Sequence, residues 1–217
     1  MAKRVLVLCS STDGQTWRIC ERLRRMLEDA GAAVTLTMID DAKDLAPAGF
    51  DLAVVGARIR YGRTDARVID FARRHAATLE AMPSAYFSVN IVARKPGKDR
   101  PETNPYVGAF LRRVRWRPRR VEVFAGRLEY PRYGIFDRLV IRLIMRLTGG
   151  PTRADTVVEY TDWQRVEAFG RALCVDLAQG SGFSRSPGDG EPEDRARRPR
   201  ARPRARAAGH LPDAPRG

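Results

Sequence analysis

The chain has few of the residues on which hydrolytic and metal-dependent chemistry depends. Its 217 residues include only two histidines, His75 and His210. Neither histidine stands near a Ser or Cys nucleophile in the sequence, and no carboxylate cluster or H-x-x-x-H pair suggests a metal site. These absences argue against a hydrolase or a metalloenzyme. If the protein is an enzyme, we expect a bound organic cofactor to carry the chemistry.

Cysteine is also scarce, and long apolar runs are missing. The three cysteines, Cys9, Cys20 and Cys174, are odd in number and lack metal-site spacing. We expect them to be buried thiols in a reducing compartment. No apolar run approaches the roughly 18 residues of a membrane span, and the N-terminus has no signal-peptide pattern. These patterns predict a protein made in the cytoplasm.

Charge is abundant and mostly positive, with 40 Lys and Arg against 26 Asp and Glu. Residues 184–217 contain nine Arg, five acidic residues and almost nothing apolar, so we expect 180–217 to form a disordered Arg/Pro-rich tail. The rest of the chain keeps 31 basic and 21 acidic residues, a formal net charge of +10. A basic body favours an anionic partner, which could be nucleic acid, an acidic membrane surface or a polycarboxylate ligand.

Strand and helix patterns alternate along residues 1–179. The predicted strands are 4–9, 34–38, 51–57, 84–90 and 121–125, and the predicted helices are 15–29, 64–79, 103–114 and 162–177. Alternation at this pitch indicates βαβ units and a parallel sheet covered on both faces. The predicted fold class is α/β, a flavodoxin-like three-layer sandwich. Its five-stranded parallel sheet has the order 2-1-3-4-5, and a long insertion, 129–155, lies around strand five.

The stretch S-S-T-D-G-Q-T, from Ser10 to Thr16, joins the first strand to the first helix. Its hydroxyl side chains and the open backbone amides at the helix start are suited to bind a phosphate, and Gly14 allows close approach. The stretch contains no Lys or Arg, so it is neither a P-loop nor a dinucleotide fingerprint. Neutral donors are typical of a flavin mononucleotide (FMN) site. The alternative is an ordinary β–α turn with polar capping residues.

Two further strand ends are chemically distinctive. The sequence A-R-I-R-Y-G-R follows the third strand, and its Tyr61 would stack on a ring while Gly62 lets the backbone reach the ring's edge. Ser88 and Asn90 end the fourth strand, where they would bond a heterocycle. In this fold, ligands bind at the carboxyl ends of the strands near the switch point. All three strand ends therefore predict one site.

A segment from Tyr130 to Gly150 interrupts the α/β pattern. Arg138, Arg142 and Arg146 share one face of a predicted helix, 134–147. About 14 residues reach only about 20 Å, too short to cross a bilayer. We expect this helix to lie in a membrane interface; the alternative is a helix packed on the protein's own core. The predicted membrane contacts are Phe136, Leu139, Val140, Leu143, Ile144 and Leu147.

Several motifs together resemble one family. They are C-S-S-T-D-G-Q-T, A-R-I-R-Y-G, M-P-S-A-Y-F-S-V-N-I-V-A-R-K-P, W-R-P, Y-P-R-Y and Y-T-D-W. This combination resembles the menaquinone-dependent protoporphyrinogen IX dehydrogenases, flavodoxin-like enzymes of bacterial haem biosynthesis. The resemblance covers residues 3–177, and the segments 82–96 and 160–163 are not general flavodoxin features.

The resemblance implies an FMN enzyme, peripheral to the cytoplasmic face of the inner membrane. It would oxidise protoporphyrinogen IX to protoporphyrin IX and pass the electrons to a membrane quinone, menaquinone or ubiquinone. The implied cofactor-binding residues are Ser10, Ser11, Thr12, Asp13, Gly14, Gln15, Thr16, Ala57, Arg58, Ile59, Arg60, Tyr61, Gly62, Ser88, Val89 and Asn90. Asp13 stands where flavodoxins usually have a third Thr. We expect it to cap backbone amides rather than to touch the phosphate.

No general base is evident from the sequence, so the catalytic residues stay unknown. Basic side chains near the strand ends are expected to anchor the substrate's propionates: Arg60, Arg63, Arg94, Lys95 and Arg100. A second hypothesis is a flavodoxin-type electron carrier or a quinone reductase without porphyrinogen activity, and the basic body argues against the carrier. A third is a nucleic-acid-binding protein that uses its Arg-rich tail; no sequence-specific binding is expected. Homo-oligomerisation is left open.

Overall fold

A computed structural model describes residues 1–129 and 157–180. The predicted interfacial helix 134–147 lies outside the described residues, and so does the predicted tail beyond residue 180. The six predicted membrane contacts therefore stay predictions: Phe136, Leu139, Val140, Leu143, Ile144 and Leu147. None of the described helices is both long enough and apolar enough to cross a membrane.

The centre of the molecule is a parallel sheet. Its strands are β1 (Arg4–Ser10), β2 (Ala33–Met38), β3 (Leu52–Arg60), β5 (Ser84–Val89) and β6 (Arg120–Phe124), and the two-residue β4 (Arg63–Thr64) pairs antiparallel with the end of β3. The strand order is β2-β1-β3-β5-β6, which is the predicted order 2-1-3-4-5 once β4 is set aside. A separate antiparallel pair joins β7 (Arg127–Glu129) to β8 (Val157–Glu159).

Five helices accompany these strands in the described part of the chain. They are α1 (Gln15–Asp29), α2 (Ala66–Arg74), α3 (Ala76–Glu80), α4 (Pro105–Arg113) and α5 (Trp163–Gln179), with short 3-10 turns at Ile39–Asp41 and Ile91–Arg94. The prediction of one helix over 64–79 is wrong. That helix begins only at Ala66, because the Asp65 carboxylate caps it by accepting from the Arg67 amide at 3.1 Å. It then breaks at His75, whose φ of −108° is not helical.

Successive residues of the buried strands face opposite cores, which makes the sandwich three-layered. Val5 and Val7 pack with α1 and α5, whereas Leu6 and Leu8 pack in the core that includes α2 and α4. All four side chains are fully buried, which explains why the strand is a continuous apolar run. Gly56 is needed where β3 meets β5, since a Cβ there would lie 2.3 Å from the Phe87 ring.

Candidate cofactor-binding site

The strand register brings the three predicted loops to one edge of the sheet. Ser10 of β1 stands opposite Ala57 of β3, and Ala57 stands opposite Ser88 of β5. Strand β2 continues from β1 in one direction and β5 continues from β3 in the other. The loops therefore meet at the topological switch point, where open α/β sheets bind ligands. They enclose a pocket of about 320 Å³, within the range of small-molecule sites.

Most of the predicted cofactor-binding residues line this pocket: Ser11, Thr12, Asp13, Gln15, Thr16, Arg58, Ile59, Arg60, Tyr61, Gly62, Val89 and Asn90. The other four, Ser10, Gly14, Ala57 and Ser88, do not line it. The Ser10 hydroxyl donates to Asp65 at 2.8 Å, and Gly14 is the N-cap of α1. Ala57 and Ser88 are fully buried in the sheet.

Six lining residues were missed by the sequence reasoning: Ile91, Val92, Tyr106, Gly126, Arg127 and Leu128. Gly126 to Leu128 follow β6, so the rule that parallel strand ends converge would have found them. Ile91 and Val92 directly continue the third predicted loop. Tyr106 lies in α4, and no pattern in the sequence connects it to the site.

The first loop presents unused donors to the pocket. The first hydrogen bond of α1 runs from the Arg18 amide to the Gly14 carbonyl at 3.0 Å, so the amides of residues 15–17 have no partner within the helix. The positive end of the helix dipole lies at the same point. The Ser11 Oγ is buried without a hydrogen-bond partner among the described residues. An orphaned hydroxyl beside open amides fits a bound phosphate.

Backbone geometry in this loop also favours close approach. Gly14 has φ +84°, in the left-handed region that glycine adopts at little cost. With Gly14 as N-cap, that position supplies no side chain to the helix start. Asp13 lines the pocket beside it, and the expectation that Asp13 caps backbone amides stays a prediction.

The second loop holds a strained, exposed aromatic residue at the rim of the pocket. Tyr61 has φ +50° and its neighbour Gly62 has φ +73°. For a tyrosine this conformation costs about 1–3 kcal/mol, and such strain clusters at functional sites. Tyr61 is 56% exposed, and the Arg60 guanidinium lies 5.2 Å from the centre of its ring. A flat, exposed aromatic ring of this kind is suited to stack on a planar ligand.

The third loop is held rigid by Asn90. Its Nδ2 donates to the Ser88 Oγ at 3.2 Å, and its Oδ1 accepts from the Ala93 amide at 3.0 Å. Asn104 adds a longer contact of 3.4 Å to the same oxygen. Because both predicted side chains, Ser88 and Asn90, bond within the protein, they shape the turn that follows β5.

The pocket carries more positive than negative charge. Arg58, Arg60 and Arg127 line it together with a single carboxylate, Asp13. Arg58 is tethered from behind by Asp65, whose side chain is 5% exposed and lies 3.4 Å away. A positively charged lining favours anionic ligand groups.

A second pocket of about 310 Å³ shares two segments with the first. Val92 and Gly126 line the first pocket, whereas Ala93 and Ala125 line the second. Of the predicted substrate residues, Arg94 and Lys95 line the second pocket and Arg60 lines the first. Arg63 and Arg100 are exposed and line neither pocket.

Part of the positive charge that lines the second pocket is neutralised by a carboxylate. Arg165 bonds Glu122 at 2.6 Å and the Asp99 carbonyl at 2.9 Å. The Arg94 guanidinium lies 5.9 Å from the centre of the Tyr160 ring. No cluster of three metal-ligating side chains occurs among residues 1–129 and 157–180.

Comparisons with known proteins agree on the family to which the chain is similar. A family model described as a flavodoxin domain matches residues 6–155. A protein from Escherichia coli (strain K12) is 42% identical over 170 residues, covering 78% of this chain and 94% of the relative, and is named protoporphyrinogen IX dehydrogenase (quinone). A protein of the same name from Leishmania major is 42% identical over 168 residues, covering 76% of this chain and 72% of the relative.

Solved structures of low sequence identity also match. Oxidised Flavodoxin 1 from Bacillus cereus aligns with a TM-score of 0.47 at 12% identity, covering 82% of this chain and 98% of that one. Reduced Megasphaera elsdenii flavodoxin aligns with a TM-score of 0.42 at 17% identity, covering 55% of this chain and 84% of that one. The observed sheet order and the family model together confirm the predicted flavodoxin-like fold.

A flavodoxin domain implies a flavin cofactor, and the donors and aromatic rim of the first pocket fit one. The predicted resemblance is confirmed, since the family model spans most of the chain and the Escherichia coli relative is matched over 94% of its length. The chain belongs to the flavodoxin-domain family and, within it, to the family of the protoporphyrinogen IX dehydrogenases (quinone).

Proposed function

We propose that the protein is an FMN-dependent enzyme that oxidises protoporphyrinogen IX to protoporphyrin IX and passes the electrons to a membrane quinone. The observation that carries the proposal is 42% identity across 94% of a relative whose name gives protoporphyrinogen IX as the substrate and a quinone as the acceptor. The switch-point pocket supports it, because its donors suit a flavin nucleotide.

FMN would be held by the residues that line the first pocket. The open amides at the start of α1 and the Ser11 hydroxyl suit its phosphate. Tyr61 offers a flat face for its ring, and Arg58, Arg60 and Arg127 favour negative charge on the bound group. When bound, FMN supplies the two-electron redox chemistry that side chains lack.

The electrons and protons released by the porphyrinogen match those that the quinone takes up. Protoporphyrinogen IX carries six more hydrogen atoms than protoporphyrin IX, so its oxidation releases six electrons and six protons. Three two-electron turnovers would reduce three quinones to quinols. The protein's part is to hold the substrate near the cofactor pocket. Arg60, Arg94 and Lys95 are suited to bind its propionates, because cationic donors form strong bonds with carboxylates.

We also propose a peripheral position on the cytoplasmic face of the inner membrane, where the quinone dissolves. The support is the charge of +10 on residues 1–183 and the apolar face of the predicted helix 134–147. A basic surface is drawn to anionic lipid, and an apolar helix face adds affinity that salt does not remove.

Two half-reactions test the proposed function. The purified protein is expected to release FMN on denaturation. Under anaerobic conditions, protoporphyrinogen IX alone is expected to reduce the bound flavin and abolish its yellow absorbance, and added menaquinone or ubiquinone is expected to restore it. A protein that cannot take up FMN contradicts the proposal.

The same experiment separates the alternatives. A flavodoxin-type carrier would stay oxidised with protoporphyrinogen IX but would be reduced by a flavodoxin reductase. A quinone reductase without porphyrinogen activity would be reoxidised by quinone yet would not respond to the porphyrinogen. Either pattern rejects the enzyme proposed here.

A further inference from the structure

A hydrogen-bond network joins the first loop, Ser10–Thr16, to residues just before and at the start of α5. The Gln15 Nε2 donates to the Thr161 Oγ1 at 2.8 Å and to the Glu159 Oε1 at 3.0 Å. Gln15 is 6% exposed and Thr161 is 8% exposed, so this contact is shielded from water. The network connects the D-G-Q-T motif with the Y-T-D-W motif, although 146 residues separate Gln15 from Thr161.

Glu159 is held by three different donors. Trp163 Nε1 donates to its Oε1 at 2.7 Å, and Arg18 donates to its Oε2 at 3.1 Å. Arg18 also donates to the Gln15 Oε1 at 3.1 Å, which closes the network. Burial opposes ionisation of Glu159, but the bonds from Trp163, Gln15 and Arg18 outweigh it and hold the pKa of Glu159 below its ordinary value.

Thr161 ties the same network to another wall of the pocket. Its hydroxyl donates to the Ala125 carbonyl at 2.7 Å. Ala125 directly precedes Gly126 and Arg127, which line the pocket, and Arg127 of β7 pairs with Glu159 of β8. The Gln15 side chain is therefore fixed by groups that are themselves part of the pocket's frame.

The position of Gln15 makes this anchoring important for the loop. Gln15 is the first residue of α1 and directly follows Gly14, a residue that permits wide backbone motion. Its amide is among those left open at the helix start. Fixing the side chain of this residue fixes the direction in which the open amides point, and preorganised donors bind more tightly than donors that must be ordered.

We infer that Gln15, Glu159 and Thr161 are positioning residues for the cofactor's phosphate: Glu159 and Thr161 hold the Gln15 side chain so that the loop amides are preset. This inference rests on the proposed function, since it concerns the FMN phosphate. It assigns the Gln15 side chain a role in holding the loop, whereas the Gln15 backbone amide is one of the amides left open at the helix start.

The test compares FMN with riboflavin, which lacks the phosphate. Apoprotein is titrated with each flavin, and binding is followed by quenching of flavin fluorescence. Glu159→Ala and Thr161→Val each remove one hydrogen bond to the Gln15 side chain. Each is therefore expected to weaken FMN binding about tenfold and to change riboflavin binding less than about twofold. Glu159→Gln keeps an acceptor oxygen and is expected to restore most of the FMN affinity.

Glu167→Ala is the matched control. Glu167 pairs with Arg22 at 2.5 Å and links α1 to α5 as the network does, but it does not line the pocket. It is expected to leave both affinities unchanged. Equal losses for FMN and riboflavin would show general structural support and overturn the inference, as would unchanged FMN binding in both variants. A wild-type protein that binds riboflavin but not FMN would instead overturn the proposed function.

Discussion

Ser11 is the single residue that most directly indicates ligand binding in the first pocket. Its hydroxyl is buried beside the open amides of α1 and makes no hydrogen bond within the described residues. A buried hydroxyl without a partner normally costs stability, so its presence favours a role in binding. Ser10, one position earlier, has the opposite arrangement: its hydroxyl is satisfied by Asp65.

Replacement of Ser11 by Ala is therefore expected to separate binding from stability. Ser11→Ala should lower FMN affinity about tenfold while leaving the melting temperature of the apoprotein unchanged or slightly higher, because no protein hydrogen bond is lost. Flavin titration and thermal unfolding measure the two effects.

Ser84→Ala is the control for this prediction. The Ser84 hydroxyl donates to the Leu79 carbonyl at 2.7 Å and accepts from Trp116 at 2.9 Å, far along the strand from the pocket. Its loss should destabilise the fold by about 1–3 kcal/mol without changing the intrinsic FMN affinity. If Ser11→Ala behaves like Ser84→Ala, the hydroxyl has only a structural role.

Among the elements, α1 was predicted with its observed bounds, Gln15–Asp29, because its apolar periodicity is long, Gly14 directly precedes it and Gly31 follows two residues after its end. The helix predicted over 64–79 was wrong because its apolar pattern continues across the break. Phe71 before the break and Leu79 after it are both fully buried. A one-residue interruption at His75 leaves that pattern intact, so periodicity alone does not reveal it.

The loops that form the walls of the first pocket also differ in how far the sequence predicts them. Three of them follow strands of one parallel sheet, so the sequence places them together once the strand order is known. The fourth wall, Gly126–Leu128, also follows a strand of that sheet, β6, but from Arg127 it enters an antiparallel pair whose partner strand begins at Val157. The side-chain network through Gln15 depends on that pairing, and hydrogen bonds between such distant residues leave no periodic signal.

Residues of the 3-10 turn Ile91–Arg94, which follows β5, line both pockets. This arrangement leads to a prediction about substrate binding. Arg94→Ala and Lys95→Ala should each raise the KM for protoporphyrinogen IX about tenfold, because each removes a cationic donor suited to a carboxylate. FMN affinity should not change, since neither residue lines the first pocket. Steady-state kinetics with FMN-loaded protein measure the KM.

Arg115→Ala is a suitable comparison, because Arg115 is exposed and lines neither pocket. Its KM should equal that of the wild type. Arg63→Ala and Arg100→Ala test the remaining sequence predictions, and their exposed positions outside both pockets suggest smaller effects. Unchanged KM values in the Arg94 and Lys95 variants would exclude the second pocket as the propionate site.

At the scale of the whole molecule, the positive charge and the apolar face of the predicted helix 134–147 both favour a membrane surface. At high salt, where the attraction of the basic surface to lipid is screened, Leu139→Asp combined with Leu143→Asp should abolish sedimentation with vesicles that contain anionic lipid. Val175→Asp is the control, because Val175 is 49% exposed on α5 and lies outside the predicted helix. Continued sedimentation of the double variant would place the membrane contact elsewhere.

The central claim is that this flavodoxin-like protein couples porphyrinogen oxidation to quinone reduction. Its most direct test is the anaerobic stoichiometry of FMN-loaded protein, with porphyrin followed by fluorescence and quinol by absorbance. Three quinols should form for each protoporphyrin IX, and when quinone is omitted the porphyrin formed should not exceed about one third of the bound flavin. Catalytic porphyrin formation without quinone, or quinol formation that does not depend on porphyrinogen, would contradict this function.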